Sequence, residues 1–230
     1  MTWRDKYLNQ IVCGDCLELM PELPDGVIDL TVTSPPYGEL REYDGYTFDF
    51  AALAVELCRV TKLGGVVVWV AGDETRDGDE SGESFRQALY FKQIGFKLHD
   101  TMIFEKHNFA NPSHNRYHQI FEYMFIFSKG RLNTFNPIKD KKINWTGRCW
   151  GRNTFRVKDG SLEERDRAVY AEVGKRTNIW RIANQYGYST QDEIAYKHPA
   201  IFPEALARDH ILTWSNAGDV VLDPIMPEAV

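Results

Sequence analysis

Thr33-Ser34-Pro35-Pro36-Tyr37 closes an apolar, β-branched run from Val27 to Thr33 with a stiff, polar, aromatic-tipped turn. Two consecutive prolines fix φ and remove two N–H donors, so the backbone cannot pair onward in a sheet and its carbonyls face open space. A planar base with an exocyclic amino group suits such acceptors. The Ser34 hydroxyl and the Pro35 carbonyl can take its two N–H bonds while the Tyr37 ring stacks on its face. An ordinary strand-ending turn with a packed tyrosine uses the same residues, so the surrounding sequence has to decide between the two.

Other reactive side chains form weaker patterns. Cys13-Gly14-Asp15-Cys16 has the spacing of redox and zinc sites, but no second pair completes four ligands. Cys58 and Cys149 are too scattered to make a disulfide framework with it. His107, His114 and His118 lack the glutamate of an H-E-x-x-H helix and sit in a stretch of Asn, Pro and Ser that reads as loop. No metal is expected.

The 230 residues, 43% of them hydrophobic, can bury one sizeable core with an elaboration. No apolar run reaches a membrane-spanning length of about 18 residues and no charged-then-apolar leader follows Met1, so the expectation is a soluble, cytoplasmic protein with no membrane partner. A net charge of −6 argues at first against nucleic acid. Its distribution argues otherwise: Lys139 to Arg181 holds 12 Lys/Arg against 6 Asp/Glu. The same segment carries Trp145, Trp150, Phe155 and Trp180 with Gly147, Gly151 and Gly160, combining cations, flat rings and pliable backbone. A solvated insertion with a small satellite core has the same composition.

The elements that must position these residues alternate in type. Gln10 to Val12 reads as the end of a short strand, Cys16 to Met20 as a helical turn and Val27 to Thr33 as a buried strand. Asp49 can cap a helix from Phe50 to Lys62, with Gly64-Gly65 as its stop, and Val66 to Val70 supplies a strand. Glu83 to Ile94 reads as a helix ended by Gly95, and Leu98 to Glu105 with Ile120 to Ser128 as an antiparallel pair at a sheet edge. Regular periodicity is lost over residues 129–195. Pro203 then opens a helix running to about Trp214, and Val220 to Leu222 makes a last short strand before Asp223-Pro224. Alternating strands and helices indicate an open α/β sheet, which binds ligands beyond the carboxyl ends of its strands; Asp15, Ser34 to Tyr37, Asp73 and Asp223 all follow strands in this reading.

Three segments in this order carry a resemblance. Ile11 to Glu18 followed by Asp29 to Tyr37, then His198 to Glu204, then Gly218 to Pro224 resemble the amino-methylating DNA methyltransferases of bacteria and phages, in the permuted arrangement where the catalytic motif precedes the cofactor motif. The resemblance implies an open Rossmann-like sheet that uses S-adenosylmethionine, mostly parallel with an antiparallel edge hairpin. It also implies an organisation into a catalytic part at 1–131, an irregular target-recognition insertion at 132–197 and the start of a cofactor-binding part, incomplete, at 198–230. By that resemblance Ser34, Pro35, Pro36 and Tyr37 are the catalytic turn, and Asp15, Cys16, Thr33, Phe202, Pro203, Asp223 and Pro224 form the cofactor set. A helix N-terminus at Pro203 would suit a carboxylate.

Candidate DNA contacts are Arg41, Lys141, Lys142, Arg148, Arg152, Arg156 and Lys158. The partner is double-stranded DNA, with a homodimer and a paired restriction endonuclease left open. The implied reaction is direct methyl transfer to a flipped base, and Ser34 in place of an acidic or amide residue favours cytosine N4 over adenine N6. One departure stands against full activity. The family continues past its Asp-Pro with phenylalanine and a glycine-rich loop, where this chain reads Ile225-Met226-Pro227-Glu228. A catalytically silent, truncated member that only binds DNA is therefore the second expectation.

Overall fold

The computed structural model describes residues 2–36, 48–109, 112, 114–142, 154–164, 172–184, 187–197 and 201–225. They fall into two compact units: Met1–Asn136 with Asn178–Val230, and Pro137–Thr177.

In chain order the larger unit begins with α1 (Trp3–Tyr7), α2 (Cys16–Leu19), β1 (Ile28–Thr33), α3 (Phe50–Val60) and β2 (Thr61–Ala71). A two-stranded hairpin, β3 (Thr75–Arg76) with β4 (Asp79–Glu80), leads to α4 (Glu83–Gln93), β5 (Lys97–Glu105) and β6 (Phe121–Ser128). The smaller unit holds β7 (Lys139–Lys142), β8 (Thr154–Arg156), β9 (Leu162–Glu164) and β10 (Val173–Lys175). The chain then resumes in the larger unit with β11 (Ile179–Arg181), α5 (Glu204–Trp214) and β12 (Val221–Leu222).

Six strands form the central sheet in the order β11-β5-β6-β2-β1-β12. Only β6 opposes its neighbours; the pairs β1/β12, β1/β2 and β5/β11 are parallel. The β5/β6 hairpin is antiparallel as expected, but β11 lies outside it and takes the edge. Ile179-Trp180-Arg181 can do so because its alternation buries Trp180 alone, a pattern three residues long inside a stretch that otherwise reads as irregular.

Both faces of the sheet are covered, which is why β2 is a near-continuous apolar run. On one face Val67, Trp69, Phe125 and Phe127 meet Leu53, Leu57, Ala88 and Phe91 from α3 and α4. Phe50, Phe91 and Phe96 join this layer edge-on, and Phe91 stacks on Phe127 with centroids 4.6 Å apart. The Trp69 indole N–H donates to Gln87 Oε1 at 2.8 Å, so this buried donor is satisfied. On the other face α5 places His210 against Met124 and Trp180.

Two expectations are corrected here. Gln10 to Val12 is not a strand: it has no ladder partner among the described residues, and Ile11 is 80% exposed. Gly64-Gly65 does not end the helix, because α3 stops at Val60 and both glycines lie inside β2. Their role is a bulge in the β1/β2 register, where Ile28 pairs with Thr61 and Leu30 with Val66. A Cβ on Gly65 would stand 2.9 Å from the Asp29 carbonyl, and Gly64 has φ +87°. Asp29 locks the same region. It takes Lys62 Nζ at 2.6 Å and the Val220 amide at 2.9 Å, tying β1 to β2 and to β12.

Candidate active site

Strand β1 delivers Thr33 to the carboxyl edge of the sheet, and Ser34, Pro35 and Pro36 follow without regular structure. Pro35 is buried, while Ser34 and Pro36 are half-buried. The prolines end the ladder as their chemistry requires. Tyr37 and Arg41 lie outside the described residues.

Strand β12 is the parallel neighbour of β1, in register Leu30 to Val221 and Thr31 to Leu222. Asp223 therefore emerges beside Thr33, and the Thr33 hydroxyl donates to Asp223 Oδ1 at 2.7 Å. The Ile225 amide donates to the same oxygen at 3.1 Å, a local turn that holds Pro224 between them. No described residue bonds Oδ2. Crowding by protein pushes the Asp223 carboxyl up to about 6, against the two hydrogen bonds that favour its anion. The residue is nevertheless exposed, so water reaching the carboxylate opposes that push.

The remaining cofactor candidates are placed by helix ends. Asp15 is the N-cap of α2, its Oδ1 taking the Leu17 amide at 2.8 Å, and Cys16 is the first helical residue. Pro203 is buried as the N-cap of α5, Phe202 before it is half-buried, and α5 packs on β1. Part of this helix start is already engaged. Its first amide, Glu204 N–H, is already bonded to the Ser189 carbonyl at 3.0 Å, and the Glu204 side chain, held by Thr190, adds negative charge.

The structure thus joins Thr33, Ser34, Pro35, Pro36, Asp223 and Pro224 at one edge, with the N-cap of α5 on an element that packs on the same strand. Asp15 and Cys16 have their own local bonding on α2. Sequence reading placed Asp73 after a strand; it accepts from Ser81 Oγ and the Ser84 amide, both at 3.0 Å, and so caps α4, whose own N-cap is Gly82. What sequence reading missed is the bond between Thr33 and Asp223, since nothing in two residues 190 positions apart announces it. A shallow polar depression lined by Gly78, Glu80, Arg116 and Tyr117 contains none of the site residues read from sequence.

In the smaller unit Lys141 and Lys142 are exposed on β7, Arg156 on β8 and Lys158 just after it. Strands β7 and β10 form an antiparallel ribbon in which Lys139 lies opposite Lys175, and Arg176 pairs with Asp140 at 2.5 Å. Arg148 and Arg152 lie outside the described residues. Among those described, no helix is long and apolar enough to cross a membrane and no group of three His, Cys, Asp or Glu could hold a metal ion.

The DNA methylase family model matches residues 28–226. The orphan methyltransferase M.BamHII of Bacillus amyloliquefaciens is 58% identical over 204 residues, which span 88% of this chain and 77% of the relative. The type II methyltransferase M.BglII of Bacillus subtilis is 24% identical over 243 residues, 96% of this chain and 60% of its own. Among solved structures, the PvuII DNA methyltransferase, cytosine-N4-specific, matches with a TM-score of 0.63 at 19% identity, over 91% of this chain and 71% of that one. M1.HpyAVI in its complex with SAM matches with a TM-score of 0.56 at 17% identity, over 94% and 80%. The two structural likenesses speak to fold, and the Rossmann-like α/β sheet described above is theirs. Because the family match runs through most of the chain and a relative shares more than half its residues, this chain belongs to the N6/N4 DNA methylase family.

Proposed function

We propose that this chain methylates the exocyclic amino group of a base flipped out of duplex DNA, cytosine N4 in preference to adenine N6, with S-adenosylmethionine as donor. The observation that carries this reading is the Thr33–Asp223 bond, which sets the Ser34-Pro35-Pro36 turn and an under-bonded carboxylate side by side at the carboxyl edge of an open sheet.

S-adenosylmethionine, when bound, supplies an electrophilic methyl group on a positively charged sulfur. The residues present fit such a ligand. Asp223 has both protein donors on one oxygen, which leaves the other to accept from the ammonium of a cationic methionine end. Asp15 keeps one carboxylate oxygen beyond its cap bond for an adenine amino group, beside Cys16, while Phe202, Pro203 and Pro224 offer apolar lining. On the acceptor side, the Ser34 hydroxyl and the Pro35 carbonyl take the two N–H bonds of the base. This localises the nitrogen lone pair and stabilises the positive charge that builds there. Stacking on Tyr37 offsets part of the few kcal/mol that flipping costs.

Cationic side chains Lys141, Lys142, Arg156 and Lys158, with Arg41, Arg148 and Arg152, supply the phosphate contacts, and 132–197 is the target-recognition part. Serine at position 34 and the likeness to a cytosine-N4-specific enzyme support the base preference.

The test is incubation of the protein with duplex DNA and labelled S-adenosylmethionine, followed by digestion and mass analysis of the nucleosides. N4-methylcytosine is expected. N6-methyladenine would overturn the base preference, and no methylated base would leave only DNA binding.

A further inference from the structure

Thr33 stands where the two halves of the reaction site meet. It is the last residue of β1, 2% exposed, and its backbone is paired to Trp69 of β2, a residue itself fixed by Gln87. Its neighbour on the chain is Ser34, in the acceptor turn. Its hydroxyl reaches the other way, to Asp223 beyond β12. A short β-branched side chain with restricted χ1, anchored by a strand, is a stiff spacer.

Resting on the function proposed above, we infer that Thr33 is a positioning residue: its hydroxyl holds Asp223 at a fixed separation from the Ser34-Pro35 turn and so sets the distance between methyl donor and amino acceptor. Misplacement of about 1 Å is enough to cost an enzyme up to roughly a hundredfold. The same bond has an electrostatic side. The influences on Asp223 are burial, which raises it, then the Thr33 hydroxyl and the Ile225 amide, which lower it; no charged side chain among the described residues contributes. Losing the hydroxyl therefore moves the carboxyl further toward its neutral form.

The test uses the full chain with Thr33→Val, which keeps the shape and deletes the hydroxyl, and Thr33→Ser, which keeps the hydroxyl. With Thr33→Val the turnover number should fall about tenfold to a hundredfold at unchanged DNA affinity. The acid limb of the rate profile should move to higher pH, and a 13C carboxyl NMR titration should show Asp223 shifted upward without any donor present. Thr33→Ser should recover all three. In an Asp223→Asn background the valine substitution should add little, because the two changes act through one bond. Wild-type turnover and an unmoved Asp223 titration in Thr33→Val would overturn the role of Thr33 while leaving the methyl-transfer reading intact. A loss that serine does not restore would also overturn it. Absence of methyl transfer by the wild-type chain would instead overturn the functional reading, and this one with it.

Discussion

The imidazole of His210 lies flat against the indole of Trp180, ring centroids 4.6 Å apart and 28° from parallel, in a site with no exposed His210 surface. The Trp214 indole N–H donates to Nδ1 at 3.3 Å, which leaves the proton on Nε2, 3.2 Å from the Met124 sulfur. Burial pushes this histidine from 6.5 down to about 3, opposed by the nearby Asp209. The folded protein therefore keeps His210 neutral where the unfolded chain takes up a proton. Stability is full above pH 6.5 and lost as pH falls toward 3, by up to about 1.4 kcal/mol per unit from this group. Urea unfolding midpoints between pH 7 and 5 should fall with acid, and less steeply in His210→Gln, which keeps an acceptor for Trp214.

Ser34→Ala should reduce methyl transfer by roughly two to three powers of ten, the order expected when one group aimed at developing charge is removed. DNA affinity should be nearly unchanged. Single-turnover rates beside anisotropy titrations separate the two, and unaltered turnover would remove Ser34 from the acceptor site.

Replacing Lys141, Lys142, Arg156 and Lys158 together by glutamine should weaken DNA binding for every sequence alike. The slope of log affinity on log salt should flatten by about one for each lost phosphate contact. Titrations from about 50 to 200 mM salt read the slope directly.

Gly65→Ala should destabilise the fold by about 1–3 kcal/mol, since the new Cβ would meet the Asp29 carbonyl at 2.9 Å, backbone that has little room to retreat. Thermal unfolding measures the loss.

Much of the architecture was legible because periodicity survives in single elements. Val66 to Val70, the stripe Leu53, Leu57 and Val60, and the proline before α5 each announce themselves locally. Gly64-Gly65 misled because a glycine pair ends helices more often than it relieves a bulge, and the bulge depends on Asp29 from another strand. β11 escaped because three residues of alternation carry too little signal without β5 beside them. At the site, the turn from Ser34 to Pro36 was readable from residue chemistry alone. Partnerships such as Thr33 with Asp223 were not, being created by the sheet rather than by the neighbourhood in sequence.

Because β6 runs against every other strand of the sheet, β5 ends and β6 begins at the same rim as Ser34 and Asp223, where Phe109 stacks on His118 between them. That hairpin link joins antiparallel neighbours and needs no crossover helix, so its length can change without re-threading the layers beneath. Grafted sequence there would give an engineer reach over the reaction site at little risk to folding.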